Sequence, residues 1–289
     1  MSEELAVGIH AIGEDGYQGD PCSTPSLSAS IAKILVSSTP LHAWTAHPKL
    51  NPNFVREEKE IFDRGTVAHA LMLQGVKNAI VFDLDDWRKP EARRARDDAR
   101  AEGKIPILRK HWSLVQDMVA AGKVQLAAHK EAANAFTAGK AEQTLIWLDH
   151  ATDGTGVVCR ARLDWLHDDY RFIDDYKSTG RDVDPSNIMG KVVDDWDIQE
   201  SFYRRGVKAI TGMDARFRFI AQENTAPFAL AVIGFGPEIQ WMGDAKVQRA
   251  IDLWAKCMTS NCWPGYADRI YYPELPKWVE EQEERRQLA

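Results

Sequence analysis

Apolar residues along the chain recur with two different periods, and the switches between them mark out its elements. SLSASIAKILVSS, from Ser26, reads as a short helix with Ser26 or Ser28 as N-cap and Thr39-Pro40 after its end. VREEKEIFDRGTVAHALMLQG carries a helical period closed by Gly75. Residues 90–139 read as charged, alanine-rich helix, broken near Gly103-Lys104-Ile105-Pro106. AEQTLIWLDH and GVVCRARLDWLHDDYRFIDDYKS then change to period two, the signal of half-buried strands, with turn residues between them. VVDDWDIQESFYRRGVKAITG returns to a helix, FRFIAQEN and FALAVIGFG predict two further strands, and DAKVQRAIDLWAKCMTSN a closing helix. Residues 1–25 read as an irregular arm and 271–289 as a solvated tail. With no internal repeat and no clear linker, the pattern predicts one mixed α/β domain over residues 26–270, carrying a helical insertion at about 88–139.

Composition narrows the class. A hydrophobic content of 44% with ten tryptophans in 289 residues argues for a globular protein with a real core. No apolar run approaches a membrane span. The start, MSEELAVGIHAIGEDG, lacks the basic-then-apolar order of a secretory signal, so a cytoplasmic location is expected. Four cysteines do not make a disulfide framework in a chain of this length, and they read as reduced structural residues. The net charge of −7 is uneven: Arg88 to Lys110 holds nine Lys/Arg against four Asp/Glu, leaving −12 for the rest. Such a segment is a solvated helix face or a phosphate-binding surface, and charge alone does not choose between them.

FIDDYKSTG (172–180) crowds two acids and a lysine at a strand end. Alternation puts Val157, Cys159, Ala161, Leu163 and Trp165 on one wholly apolar face of their strand, and Arg160, Arg162 and Asp164 on the other. The same parity joins Asp175 to Lys177 and turns Asp174 away. An antiparallel hairpin through HDDY (167–170) would set Asp164 beside Asp175. Adjacent carboxylates repel unless a proton or cation lies between them, and Mg²⁺ suits hard oxygen ligands. A lysine beside such a site holds a water or a phosphate oxygen, an arrangement suited to phosphodiester hydrolysis. A charged hairpin end held by surface ion pairs accounts for the same residues.

Asp164, a ten-residue gap and Asp175-Tyr176-Lys177 resemble the D…(D/E)-x-K signature of the PD-(D/E)xK nuclease superfamily. GTVAH (65–69) resembles the G-x-x-x-H element of its RecB-like branch, and QESFY (199–203) the Q-x-x-x-Y element. GVVCRARLDWL…FIDDYKSTG is similar to the G-x-x-C-(K/R)-x-R-x-D-W run of RecE-type, exodeoxyribonuclease VIII-like enzymes. Order and spacing agree from about residue 25 to 270, with Leu163 standing where the superfamily name has proline.

The resemblance implies a restriction-endonuclease-like α/β fold, a mixed central sheet flanked by helices. It implies Asp164 and Asp175 as metal ligands, the backbone carbonyl of Tyr176 as a third oxygen, and Lys177 orienting water or steadying charge on phosphate. His69 would add a ligand, with Gly65 one turn earlier allowing close helix approach. Imidazole is an unusual Mg²⁺ ligand, so Mn²⁺ is expected to substitute. Gln199 and Tyr203, one turn apart, are expected to reach the phosphate backbone or the lysine, and Arg160 and Arg162 to contact phosphate. Glu142 is a further acid candidate, and Asp174 is expected to be dispensable for chemistry. Relatives with an iron–sulfur cluster use three cysteines near the C-terminus; this chain has two there, so no cluster is expected.

The implied activity is Mg²⁺-dependent 5′→3′ digestion of linear double-stranded DNA to mononucleotides, leaving 3′ overhangs. A RecT-like single-strand annealing protein would use them in phage or prophage recombination inside a bacterial host. A homo-oligomer, as a ring around DNA, is implied in the same way. The rivals are a structure-specific or flap endonuclease of the same superfamily, a non-catalytic DNA-binding module, and a two-carboxylate glycosidase needing no metal.

Overall fold

In the computed structural model, which describes residues 5–55, 63–73, 75, 79–191 and 195–287, the chain begins with β1 (Gly8–His10), α1 (Glu14–Gln18), β2 (Leu27–Ser28), α2 (Ala29–Ser37) and α3 (Pro40–Thr45). It continues through α4 (Asp63–Leu73), β3 (Ala79–Phe82), α5 (Pro90–Ala101), β4 (Ile105–Leu108) and α6 (Arg109–Ala128). The strands β5 (Gly139–His150), β6 (Gly156–His167) and β7 (Phe172–Thr179) follow, then α7 (Pro185–Lys191) and α8 (Asp197–Thr211). Last come β8 (Arg216–Glu223), β9 (Leu230–Ile233), α9 (Pro237–Ser260) and α10 (Lys277–Gln287).

The main sheet has the order β1-β5-β6-β7-β8-β9, with β2 pairing β6 in addition. β5–β6, β6–β7 and β8–β9 are antiparallel, while β7–β8 is parallel, its crossover carrying α7 and α8. The period-two alternation of β6 holds from Val157 to Leu163 and then slips: Trp165, expected on the same face, pairs with Asp174 and packs edge-on to Phe136, while Leu166 enters the core in its place. Val157, Cys159, Ala161 and Leu163 are buried in a core that α2, α8 and α9 close with Ile31, Leu35, Phe202, Val247, Ile251 and Trp254. α8 and α9 approach closely because Gly243 lies at their crossing, where a Cβ would come within 2.5 Å of the Asp197 carbonyl oxygen. The opposite face of the sheet carries a second core, in which Tyr176 and Ile220 meet Val67 and Met72 of α4 and Val115, Met118 and Val119 of α6. The central sheet is thus covered by helices on both faces.

Two boundary expectations change. The segment expected as a helical insertion is broken by β4, which pairs in parallel with β3 as a separate two-stranded sheet. α6, beyond it, supplies much of the second core. Its apolar stripe packs on α4 and the sheet, so it belongs to the fold proper.

The arm over residues 1–25 is not irregular throughout. β1 adds an antiparallel edge strand to β5, with Gly8 opposite Ile146. Asp20 then anchors the arm from a fully buried position: its carboxylate accepts from Ser26 N at 2.8 Å and from Ser26 Oγ at 2.8 Å, and pairs with Arg160 at 3.1 Å and His47 at 3.3 Å. Burial by itself raises this carboxyl, but the His47 hydrogen bond, the Arg160 charge and the Ser26 donors outweigh it and lower it from 3.8 to about 2. A depressed folded value stabilises fully above the ordinary one and fades as pH falls towards 2. Asp20→Asn is therefore expected to cost about 2 kcal/mol at pH 7 and progressively less below pH 4. Urea denaturation at pH 7 and pH 3 checks the loss and its partial reduction in acid, since the contribution vanishes only below the folded value of about 2.

Candidate active site

β6 and β7 are paired at Leu166↔Ile173 and Trp165↔Asp174, and the backbone ladder stops there. One step further the same register brings Asp164 level with Asp175. The strands have parted at this point, and the Tyr176 N–H, lacking a carbonyl on β6, donates to Asp164 Oδ2 at 2.9 Å. The predicted juxtaposition of Asp164, Asp175 and Lys177 thus falls at a splay in the sheet. Lys177 Nζ is 2.5 Å from Asp175 Oδ1, and Gln199 Nε2, on α8, donates to Asp175 Oδ2 at 2.5 Å. His69, on α4, lies with Nε2 2.8 Å from Asp164 Oδ2 and Nδ1 3.4 Å from Glu142 Oε1. Two helices from opposite faces of the sheet therefore each contribute one side chain to the gap between two strands.

Glu142 enters the same group. It lies opposite Asp164 on β5, where pairing is interrupted between Ala141↔Trp165 and Gln143↔Leu163, and its φ is +56°. A non-glycine residue held left-handed inside a strand costs on the order of 1–3 kcal/mol, and such strain gathers at functional sites.

The electrostatics follow from burial and crowding. Burial, then the neighbouring Asp164 charge, raises the Asp175 carboxyl to about 6 despite Lys177. Burial also works to raise Asp164, but the His69 charge and hydrogen bond dominate and hold it below its ordinary value. Burial alone would lower His69, yet Asp164, Glu142 and Asp175 raise it to about 9. Lys177 is likewise raised by Asp175 and Asp164 against the effect of burial. Carboxylates so arranged favour additional positive charge between them.

The residues present suit a divalent cation. Asp175 Oδ1 is buried beside a second carboxylate, met by the Lys177 ammonium as an ion pair and by no aligned hydrogen-bond donor. Among the described residues no three His, Cys, Asp or Glu side chains converge as a ready-made cage. His69 is engaged with Asp164 as an ion pair and would join a metal only as the neutral imidazole.

The other predicted residues fall elsewhere. Arg160 is buried away from the acidic pair; its guanidinium donates to Ser26 O and Ser26 Oγ at 2.6 and 2.7 Å and stands 5.5 Å from the Tyr17 ring centroid. It holds the N-terminal arm, and although its Nε has no hydrogen-bond partner, the whole guanidinium is buried and so does not present itself to a phosphate. Arg162 faces the site, but its Nε pairs with Glu142 Oε2 at 2.6 Å and another nitrogen donates to Ile12 O at 2.7 Å. It orients Glu142 instead of meeting a backbone phosphate. Tyr203 is buried against Phe217, and burial pushes its phenol well above the ordinary value, with a Gln199 hydrogen bond opposing. It backs Gln199, whose amide is directed at Asp175 and not at a phosphate. Asp174 does face away, as parity predicts, into a buried cluster with Arg218 and His167. Gly65 is not demanded by close packing, since a Cβ there would meet only Ser178 Oγ at 3.8 Å. The Tyr176 ring occupies the second core, its hydroxyl donating to Gln222 at 2.8 Å. Cys159 lies in the first core.

The basic segment is less basic in context. Arg109 pairs with Asp83, Arg88 with Asp86, Lys104 with Glu102 and Arg96 with Asp97. Counting from Asp83 rather than Arg88 adds three aspartates and reduces the local net charge from +5 to +2.

A family model described as "PDDEXK-like domain of unknown function (DUF3799)" matches residues 35–276. The chain belongs to this family. The matched region of this PDDEXK-like protein contains every residue of the acidic site. Its fold is the restriction-endonuclease-like one, a mixed central sheet flanked by helices. A crystal structure from Eubacterium rectale, described as "Putative exonuclease", superposes with a TM-score of 0.57 at 12% identity, covering 94% of this chain and 98% of that one. At that identity the likeness concerns the fold. A second structure, described as SSO0001, covers 67% of this chain and 87% of its own at 13% identity, with a TM-score of 0.27, and carries no argument. No curated protein matches the sequence. Among the described residues no helix is long and apolar enough to cross a membrane.

Proposed function

We propose that this PDDEXK-like protein is a metal-dependent exodeoxyribonuclease acting on linear double-stranded DNA. The observation that carries the reading is the meeting of Asp164, Asp175, Lys177 and His69 at the splayed end of β6 and β7. Asp164 and Asp175 would hold a Mg²⁺, with His69 and the Tyr176 carbonyl as further ligands, and Mn²⁺ would substitute. When bound, that ion supplies Lewis acidity and an acidified water. The chain's own residues do the remainder. Gln199 and Lys177 fix the Asp175 carboxylate, and the Lys177 ammonium stands where negative charge develops on the scissile phosphate. Burial raises the Glu142 carboxyl; Arg162 opposes that shift and holds the side chain towards His69.

The finer reading rests on the RecE-type resemblance. The enzyme removes the 5′-ended strand as mononucleotides, leaves a 3′ overhang for a RecT-like annealing protein in phage or prophage recombination, and works as a homo-oligomeric ring in the bacterial cytoplasm. Linear duplex labelled at either end tests it. With Mg²⁺ titrated in, 5′ label should appear first as mononucleotide, EDTA should stop digestion, and covalently closed circles should survive. Cutting of circles would make it an endonuclease of the same superfamily, and DNA binding without cutting under every ion would make it a non-catalytic module.

A further inference from the structure

Beside the acidic group lies a cavity of about 260 Å³ lined by Lys177, Ser178, Thr179, Arg181, Asn187, Ile188, Gly190, Trp196 and Ala221. We infer that this cavity binds the phosphate and sugar of one nucleotide of the strand being cut, with Arg181 as the residue that holds the phosphate. The substrate class rests on the nuclease reading above; the pocket's own chemistry does not.

Four observations carry it. First, at about 260 Å³ the cavity lies just under the roughly 300–1,000 Å³ of small-molecule sites, so it excludes a duplex and takes no more than part of one nucleotide, its phosphate and sugar. Second, Lys177 belongs both to this wall and to the acidic pair, so a group bound here lies directly against the reacting centre. Third, Arg181 is exposed, and its guanidinium has no acidic partner among the described residues, only its backbone N–H being engaged, with Thr179 Oγ1 at 3.1 Å. The nearest acids in sequence are occupied by their own loop. Asp182 accepts from Asp184 N at 2.7 Å and from Asn187 at 3.3 Å, and Asp184 accepts from Ser186 N at 2.8 Å. An unpaired guanidinium offers the two-pronged donor set that phosphate accepts. Fourth, the wall beyond Lys177 is apolar and planar. Trp196 stacks on Phe219 with centroids 4.7 Å apart at 22°, and Lys177 Nζ stands 5.8 Å from the same Phe219 ring. Trp196 and Ile188, both buried in the first core, close the floor of the cavity and leave a sugar only a narrow apolar edge, while Arg181 at the rim takes the charge.

The test is calorimetric binding of 2′-deoxyadenosine 5′-monophosphate and of unphosphorylated 2′-deoxyadenosine to the full chain in EDTA, with wild type, Arg181→Ala and Arg181→Lys. Wild type should prefer the monophosphate. Arg181→Ala should lose about 10- to 100-fold in monophosphate affinity without losing the nucleoside, and Arg181→Lys should recover part of it. On linear duplex, Arg181→Ala should raise KM more than it lowers kcat. Equal monophosphate affinity in wild type and Arg181→Ala, or no monophosphate binding by wild type, overturns the inference even if DNA is digested. Arg181-dependent monophosphate binding by a protein that digests no DNA supports the pocket and overturns the nuclease reading instead.

Discussion

Asp175→Asn should lower the rate of linear-duplex digestion on the order of 1,000-fold or more while leaving the protein folded. The amide keeps the size of the side chain, its oxygen can still accept from Lys177 and its nitrogen can donate to a reversed Gln199 amide, but it removes one of the two negative charges that would grip a cation. Stability should not fall in EDTA. Asp175 is almost completely buried, and burial together with Asp164 already disfavours its ionised form. Neutralising it therefore removes an unfavourable interaction. A second readout is independent of turnover: Mg²⁺ or Mn²⁺ should raise the melting temperature of wild type by mass action and leave that of Asp175→Asn nearly unmoved. Undiminished cleavage by Asp175→Asn would remove the acidic pair from the mechanism.

Asp174→Ala should do the reverse, costing about 3–5 kcal/mol of stability while the molecules that remain folded keep their activity. Asp174 is completely buried; its Oδ1 accepts from Arg218 Nε at 2.6 Å, and its Oδ2 accepts from His167 Nε2 at 2.7 Å and Phe136 N at 3.1 Å. Arg218 is itself buried, 4.2 Å from the Phe172 ring centroid, with its remaining donors on Glu131 O and Asn134 Oδ1. Removing the carboxylate strands that guanidinium in the interior, where an unpaired charge is costly. Against a total stability of about 5–15 kcal/mol the loss is large. Urea midpoints measure it. The double variant Asp174→Ala/Arg218→Met should lose less than the sum of its single changes, because it leaves no orphaned charge. Cleavage assayed below the melting temperature separates the effect from chemistry. A stable but inactive Asp174→Ala would mean that the faces of β7 are exchanged.

The two neighbours Asp174 and Asp175 mark how far the sequence can be read. Strand alternation is a local property, so it was enough to send them to opposite faces and to align Asp175 with Lys177. It contains nothing about what each face meets. Asp174 turns away from the site as predicted, yet its partner Arg218 is 44 residues distant on β8 and was not anticipated. The same limit explains Arg160 and Arg162. Their parity towards the polar face of β6 was legible, but the arm that covers that face returns from more than a hundred residues earlier and takes up their donors. Asp20, Ser26 and His47 give no periodic signal, since they belong to loops and short elements whose pairing depends on assembled contacts.

The sequence by itself determined the strands and helices around the acidic pair, the register that aligns Asp164 with Asp175, and the family to which they belong. The elements and the register follow from period and parity, which act over a few residues, and the family from the likeness of its motifs to those of known nucleases. Only the tertiary structure decided which charges are spent. It assigned Arg160 to Asp20, Arg162 to Glu142 and Gln199 to Asp175, and left Arg181, at the edge of a cavity, without an acid among the described residues. The reason is physical: a charged side chain takes the partner that is nearest in space after desolvation, and that distance is set by how the sheet and its helices pack.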